Sequence, residues 1–135
     1  MSFTSFEDIE AWQGARVLTR MIGNICKRAP ACRDFEWCNQ IMSSALSITA
    51  NIAEGNDSQS DHEFAKFLGY AKRSAAETRS HLYYGLDRSY MSLVEFNEIL
   101  ECAMKISGQL SCLIQYLRSE PRKLRSSFNV RNSNA

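Results

Sequence analysis

The chain has 135 residues, enough for one domain that buries about two-thirds of the surface its unfolded form exposes. With 44% apolar and 23% charged residues, six Gly and two Pro, it lacks the turn-residue density of a β-sandwich and points to helix. A net charge of +1 excludes attachment to nucleic acid or membrane through overall charge alone.

The N-terminal "MSFTSFEDIEAW" lacks the basic stretch and apolar run of a signal peptide. No segment approaches ~20 consecutive apolar residues, so we expect a cytoplasmic protein with no membrane contact. A first helix is predicted from Thr4, whose hydroxyl can cap the amide of Glu7 while Glu7 reaches back. Ser5 and Asp8 offer a weaker alternative one residue later. Phe6, Ile9, Trp12, Leu18, Met21, Ile22 and Ile25 follow at helical spacing, and Pro30 ends the element. The second helix carries the stripe Ile41, Ala45, Ile48 and Ile52, with Gly55 placed for a left-handed cap before the polar turn "GNDSQS".

Ser60 and Glu63 form a capping box for a third helix, which bears Phe64, Leu68, Ala71, Ala75, Thr78 and Leu82 and stops near Arg88. Ser92 and Glu95 repeat the signature. The fourth helix then shows a predicted seam of Leu93, Phe96, Leu100, Ala103, Ser107, Leu110, Ile114 and Leu117. Ile99, Ile106 and Leu113 lie beside it and widen the apolar face, as Tyr70, Tyr83 and Tyr84 widen that of the third helix. Either the fourth helix is the most central of a monomer, or these six residues meet another subunit. We expect a homo-oligomer.

Pro121 stops the fourth helix. The reading is an all-α, antiparallel up-and-down four-helix bundle over residues 1–118 with a basic, disordered tail over 119–135. From Arg118 on, five basic residues stand against the single acid Glu120, so an acidic body carries a basic end. The five cysteines, Cys26, Cys32, Cys38, Cys102 and Cys112, are odd in number and form no C-x-x-C pair. They read as reduced, buried thiols, neither disulfides nor zinc ligands.

Polar residues interrupt the pattern at two places. Asn51 and Glu54 sit three apart beside the second helix's stripe, and Ser74 and Glu77 do the same on the third. One reading is a structural cluster that fixes helix register through hydrogen bonds. Another is a metal or acid–base site of Glu54, Glu77 and His81, but the chain has no Glu-x-x-His for a di-iron bundle. G-x-S-x-G and phosphate-cradling glycine motifs are also missing. We expect no catalytic residues, no metal and no cofactor.

The segments "FEDIEAWQGAR" (6–16), Pro30 with Gln40 ten residues on, "SITANIAEG" (47–55) and "FAKFLGYAKRSAAE" (64–77) resemble a bacterial four-helix-bundle family. That family was first described from intervening sequences inside 23S ribosomal RNA genes, and it is related to the accessory variability proteins of diversity-generating retroelements. The resemblance implies a ring-shaped homo-oligomer, with a pentamer favoured, and no catalytic residues. It also implies structural roles for Asn51, Glu54, Gly55, Ser74 and Glu77. Retroelement relatives bind nucleic acid and a reverse transcriptase through a basic surface. The chain departs from the pattern at Met42 and Ser43, where two basic residues are usual, and at Thr49 in place of proline.

The basic residues that remain are Arg16, Arg20 and Lys27 on the first helix and Lys66, Lys72, Arg73 and Arg79 on the third, followed by the tail. We therefore expect a non-enzymatic accessory or scaffold protein. It would bind structured RNA, or a nucleic-acid-processing protein such as a reverse transcriptase, through Arg16, Arg20, Lys27, Lys72, Arg73, Arg122, Lys123 and Arg125. The alternative is an assembly module with no nucleic-acid role, whose charges only keep it in solution.

Overall fold

The computed structural model describes residues 5–119, and these contain four long helices and no strand. Helix α1 spans Glu10–Cys26, α2 Phe35–Asn56, α3 Asp61–Asp87 and α4 Leu93–Ser119. Short 3₁₀ turns at Phe6–Asp8 and Ala31–Arg33 precede α1 and α2. Connections this short leave consecutive helices no choice but to run antiparallel. α1 packs on α2 and α4, and α3 packs on the same two helices from the other side. The result is a four-helix bundle in which each helix has two neighbours.

Local chemistry accounts for the helix starts. Asp34 accepts from the Trp37 amide at 3.1 Å, and Ser60 accepts from the Glu63 amide at 3.1 Å. At α4 the capping box closes fully: Glu95 N donates to Ser92 Oγ at 3.1 Å and Ser92 N donates to Glu95 Oε1 at 2.9 Å. Arg28 grips the same carboxylate with both guanidinium nitrogens, at 2.7 and 2.5 Å, tying the end of α1 to the start of α4.

The start of α1 differs from the sequence expectation. Thr4 lies outside the described residues, and Ser5 opens only the 3₁₀ turn. Ile9 then takes an extended conformation (φ −80°, ψ 121°) before the helix begins at Glu10. The break sends Ile9 into the core and brings Phe6 against Trp12, ring centroids 5.1 Å apart. Burying those two side chains outweighs one more regular helical turn.

Gly55 is no left-handed cap either. No glycine has positive φ, and α2 runs through Gly55 to Asn56. A Cβ there would stand 2.8 Å from Phe64 Cδ1 and 3.0 Å from Phe67 Cβ. The glycine thus serves close approach of α2 to the first turns of α3.

In α4 the buried stripe is Phe96, Ile99, Ala103, Ile106, Leu110, Leu113 and Leu117. Phe96, Ala103, Leu110 and Leu117 hold their predicted places, but the other half of the seam does not: Leu93 is 61% exposed, and Leu100, Ser107 and Ile114 are only partly covered. Ile99, Ile106 and Leu113, expected at a subunit interface, are buried inside the chain's own core at 2%, 1% and 6% exposure. Ile106 packs over Gly14 of α1, so its area is consumed before any second copy arrives.

Candidate functional site

The furrow between α3 and α4 gathers charge of one sign. Lys72 and Arg79, seven residues apart, share a stripe on α3, and Arg73 flanks it. Arg118 reaches the same furrow from the last turn of α4, where a cation also suits the helix dipole. Gly69, Ala76, Ser107, Gly108 and Ser111 form a floor of small side chains, and no acid lines the furrow, whose volume is about 980 Å³.

None of the four cations is neutralised by the ion pairs found among the described residues, Arg28 with Glu95 and His81 with Glu77. The cause is in the helix register. Three or four residues from Lys72 and from Arg79, α3 carries only Leu68, Gly69, Ala75, Ala76, Leu82 and Tyr83, so no local carboxylate is in reach. Glu77, four beyond Arg73, instead lies 3.7 Å from His81 Nε2. Arg73 rests over the Tyr70 ring, 5.5 Å from its centroid. Arg79 Nε is shielded from solvent with no hydrogen-bond partner among the described residues.

A second polar system runs along the α2–α3 contact. Thr78 Oγ1 lies 2.8 Å from Ser44 Oγ and 2.8 Å from the Ser74 carbonyl, and Ser44 donates to the Ile41 carbonyl at 2.9 Å. Ser74 donates to Ser47 Oγ at 2.9 Å, and Asn51 Nδ2 donates to Ser47 Oγ at 3.1 Å and to the Ser47 carbonyl at 2.8 Å. The expected cluster is therefore half present: Asn51 and Ser74 belong to it, joined through Ser47, whereas Glu54 and Glu77 are exposed. With Ser44 opposite Thr78, Glu54 and Glu77 lie on levels of the hairpin about ten residues apart, roughly 15 Å at 1.5 Å per residue. That separation removes the geometry of the Glu54, Glu77 and His81 metal reading. No three His, Cys, Asp or Glu side chains come together in a metal-holding group among the described residues.

Asn51 and Ser74, to which the resemblance gave structural roles, here hold two helices in one register. A model of the family described as 23S rRNA-intervening sequence protein matches residues 7–112. The chain belongs to that family. It is also similar to the crystal structure of a protein of unknown function from the S23 ribosomal protein family of Bacteroides thetaiotaomicron. The two share 26% identity at a TM-score of 0.71, over 77% of this chain and 97% of that one. No curated protein matches the sequence.

The structure divides the basic residues expected to act together. Arg16 and Arg20 are exposed beside a furrow between α1 and α2, on the side of the bundle away from Lys72 and Arg73. Lys27 caps the C-terminal end of α1, also exposed. Arg122, Lys123 and Arg125 lie outside the described residues. Arg79 and Arg118 complete the α3–α4 set. The Lys72-to-Arg79 spacing signalled the former, but nothing in the sequence shows which α3 residues Arg118 faces.

Of the aromatic residues expected at an interface, Tyr83 and Tyr84 are about half exposed and Tyr70 is partly covered. Tyr83 and Tyr84 stand at the end of the bundle where α2 and α4 begin. Phe35 (75% exposed), Leu93 and Val94 are exposed at that same end. Of the five cysteines expected to be buried, Cys26, Cys32, Cys38 and Cys102 are only partly covered and Cys112 is exposed. Burial first, and then the neighbouring Cys38 thiol, push Cys26 up to about 12, and burial likewise raises Cys102. Among the described residues no helix is long and apolar enough to cross a membrane.

Proposed function

We propose that this chain acts without catalysis of its own, as an accessory protein that binds nucleic acid, structured RNA first, through the α3–α4 furrow. The observation that carries this reading is the set Lys72, Arg73, Arg79 and Arg118 lining one furrow with no acid among them. Four unneutralised cations along two parallel walls suit a run of phosphates, because phosphate contacts release counterions from the polyanion.

The test is fluorescence anisotropy of a labelled RNA hairpin across a salt series. Four contacts give a log–log slope of roughly −3 to −4, at about 0.7 to 0.9 per phosphate. The pair R73E and R79E should weaken binding by at least about tenfold and flatten the slope by roughly 2. Binding that is indifferent to salt and to this charge reversal would end the reading.

A second reading has its own support. The exposed end formed by Phe35, Tyr83, Tyr84, Leu93 and Val94 suits assembly of the chain with itself, and it carries the homo-oligomer expected from the sequence.

A further inference from the structure

We propose that the α3–α4 furrow admits a single strand of nucleic acid down to its floor, and that Gly69 and Gly108 are the residues that let it in. This rests on the nucleic-acid reading above and narrows it to the unpaired stretches of a structured RNA, such as the loop of a hairpin.

Both glycines lie inside long helices with ordinary helical backbone, a setting any L residue can adopt. The fold does not ask for them. A Cβ at Gly14 would meet Ile106 at 3.1 Å, and at Gly85 it would meet Trp37 Cζ2 at 2.6 Å, whereas at Gly69 and at Gly108 it meets nothing within 4 Å. Glycine is the poorest helix former after proline, so each of the two weakens its helix with no packing inside the chain to offset it. Gly23 has equally open surroundings on α1 but does not line this furrow. Gly69 and Gly108 face the same furrow from opposite helices, and it is the furrow that carries the four cations.

The dimensions favour a strand over a duplex. Packed helices stand 8–10 Å apart axis to axis, so the space between them is narrower than a duplex whose major groove alone is about 12 Å wide. From Ser107 to Arg118 the α4 wall runs about 16 Å at 1.5 Å per residue. About five nucleotides of a stacked strand, at an axial rise of 3.4 Å each, cover that length, which suits four cations. Ser107 and Ser111 put hydroxyls on the floor.

The experiment uses the full chain and its variants G69A, G108A and the double substitution. A short fluorescein-labelled single-stranded RNA and the duplex made by annealing its complement serve as probes. The expected result has opposite signs in two measurements. The variants melt at the same or a higher temperature, because alanine favours helix and meets no neighbour. They also bind the single strand at least about tenfold more weakly, a loss the size of roughly one good contact. The wild type prefers the single strand to the duplex.

Glycine variants that bind the strand like wild type, or a wild type that prefers the duplex, would overturn the inference. So would a change of oligomeric state on Gly→Ala substitution, seen by light scattering, because the bare floor would then belong to a second copy's helix. The R73E and R79E pair keeps the two claims apart. If charge reversal abolishes binding and the glycine variants do not weaken it, only this inference fails; if charge reversal has no effect, the nucleic-acid reading fails with it.

Discussion

Glu95 joins two functions in one side chain. Its carboxylate caps α4 through the Ser92 amide and receives both nitrogens of Arg28. The Arg28 hydrogen bonds come first among the causes that lower its pKa from 4.5 to about 2, followed by the Ser92 amide. Between those two values the unfolded chain binds a proton that the folded chain does not. The stabilisation is therefore fully present above pH 4.5 and is lost as pH falls toward 2. Glu95→Gln should lower the melting temperature at neutral pH and flatten its fall between pH 5 and 2. Parallel wild-type and variant curves through that window, in a thermal melt, would show that the pair adds nothing to the acid branch. Asp34 is lowered in the same sense, chiefly by the Tyr90 hydroxyl that donates to it at 2.6 Å.

The chemistry of α2 and α3 shows why elements were easier to read than the contacts between them. The amide of Asn51 stands where it does because Ser47, one turn earlier, offers it a carbonyl and a hydroxyl, and Ser74 reaches Ser47 from the facing helix. Sequence spacing placed Asn51 and Ser74 correctly on facing stripes. It could not separate them from Glu54 and Glu77, because a residue three positions on shares a face whether it ends buried or at the rim. The serines that complete the ladder, Ser44 and Ser47, carried no signal beyond being hydroxyls near an apolar stripe. In α4 the same limit misplaced half of the seam, putting Leu100, Ser107 and Ile114 where Ile99, Ile106 and Leu113 are buried. Ile106→Ala should cost about 2–5 kcal/mol, as for a buried aliphatic side chain, and Leu93→Ala only about 0.5 kcal/mol or less. Urea denaturation measures both, and the reverse order would restore the seam expected from the sequence.

At the scale of the molecule, the bundle separates its surfaces. One furrow is cationic, the opposite furrow carries Arg16 and Arg20 among Trp12, Leu46 and Thr49, and one end exposes Phe35, Leu93 and Val94 beside charged residues such as Arg33 and Arg88. If that end joins copies, sedimentation velocity should find a multimer that Phe35→Ser with Val94→Ser converts to monomer. The melting of each subunit should hold nearly steady, since exposed substitutions shift stability by about 0.5 kcal/mol or less. A wild-type monomer at high concentration would rule the end out as an assembly surface.

Periodicity and capping chemistry were enough to establish four helices, their antiparallel order and the starts of α3 and α4, because those features depend on residues within one turn of each other. The motif residues were enough to indicate the family. Only the packed bundle decided that Ile99, Ile106 and Leu113 face inward, that Gly55 admits Phe64 and Phe67, and that Lys72, Arg73 and Arg79 share a furrow with Arg118 and not with Arg16. A helix's own period sets the angles among its side chains. Which angle meets a neighbour, and at what level, follows from how all four helices fill their common core.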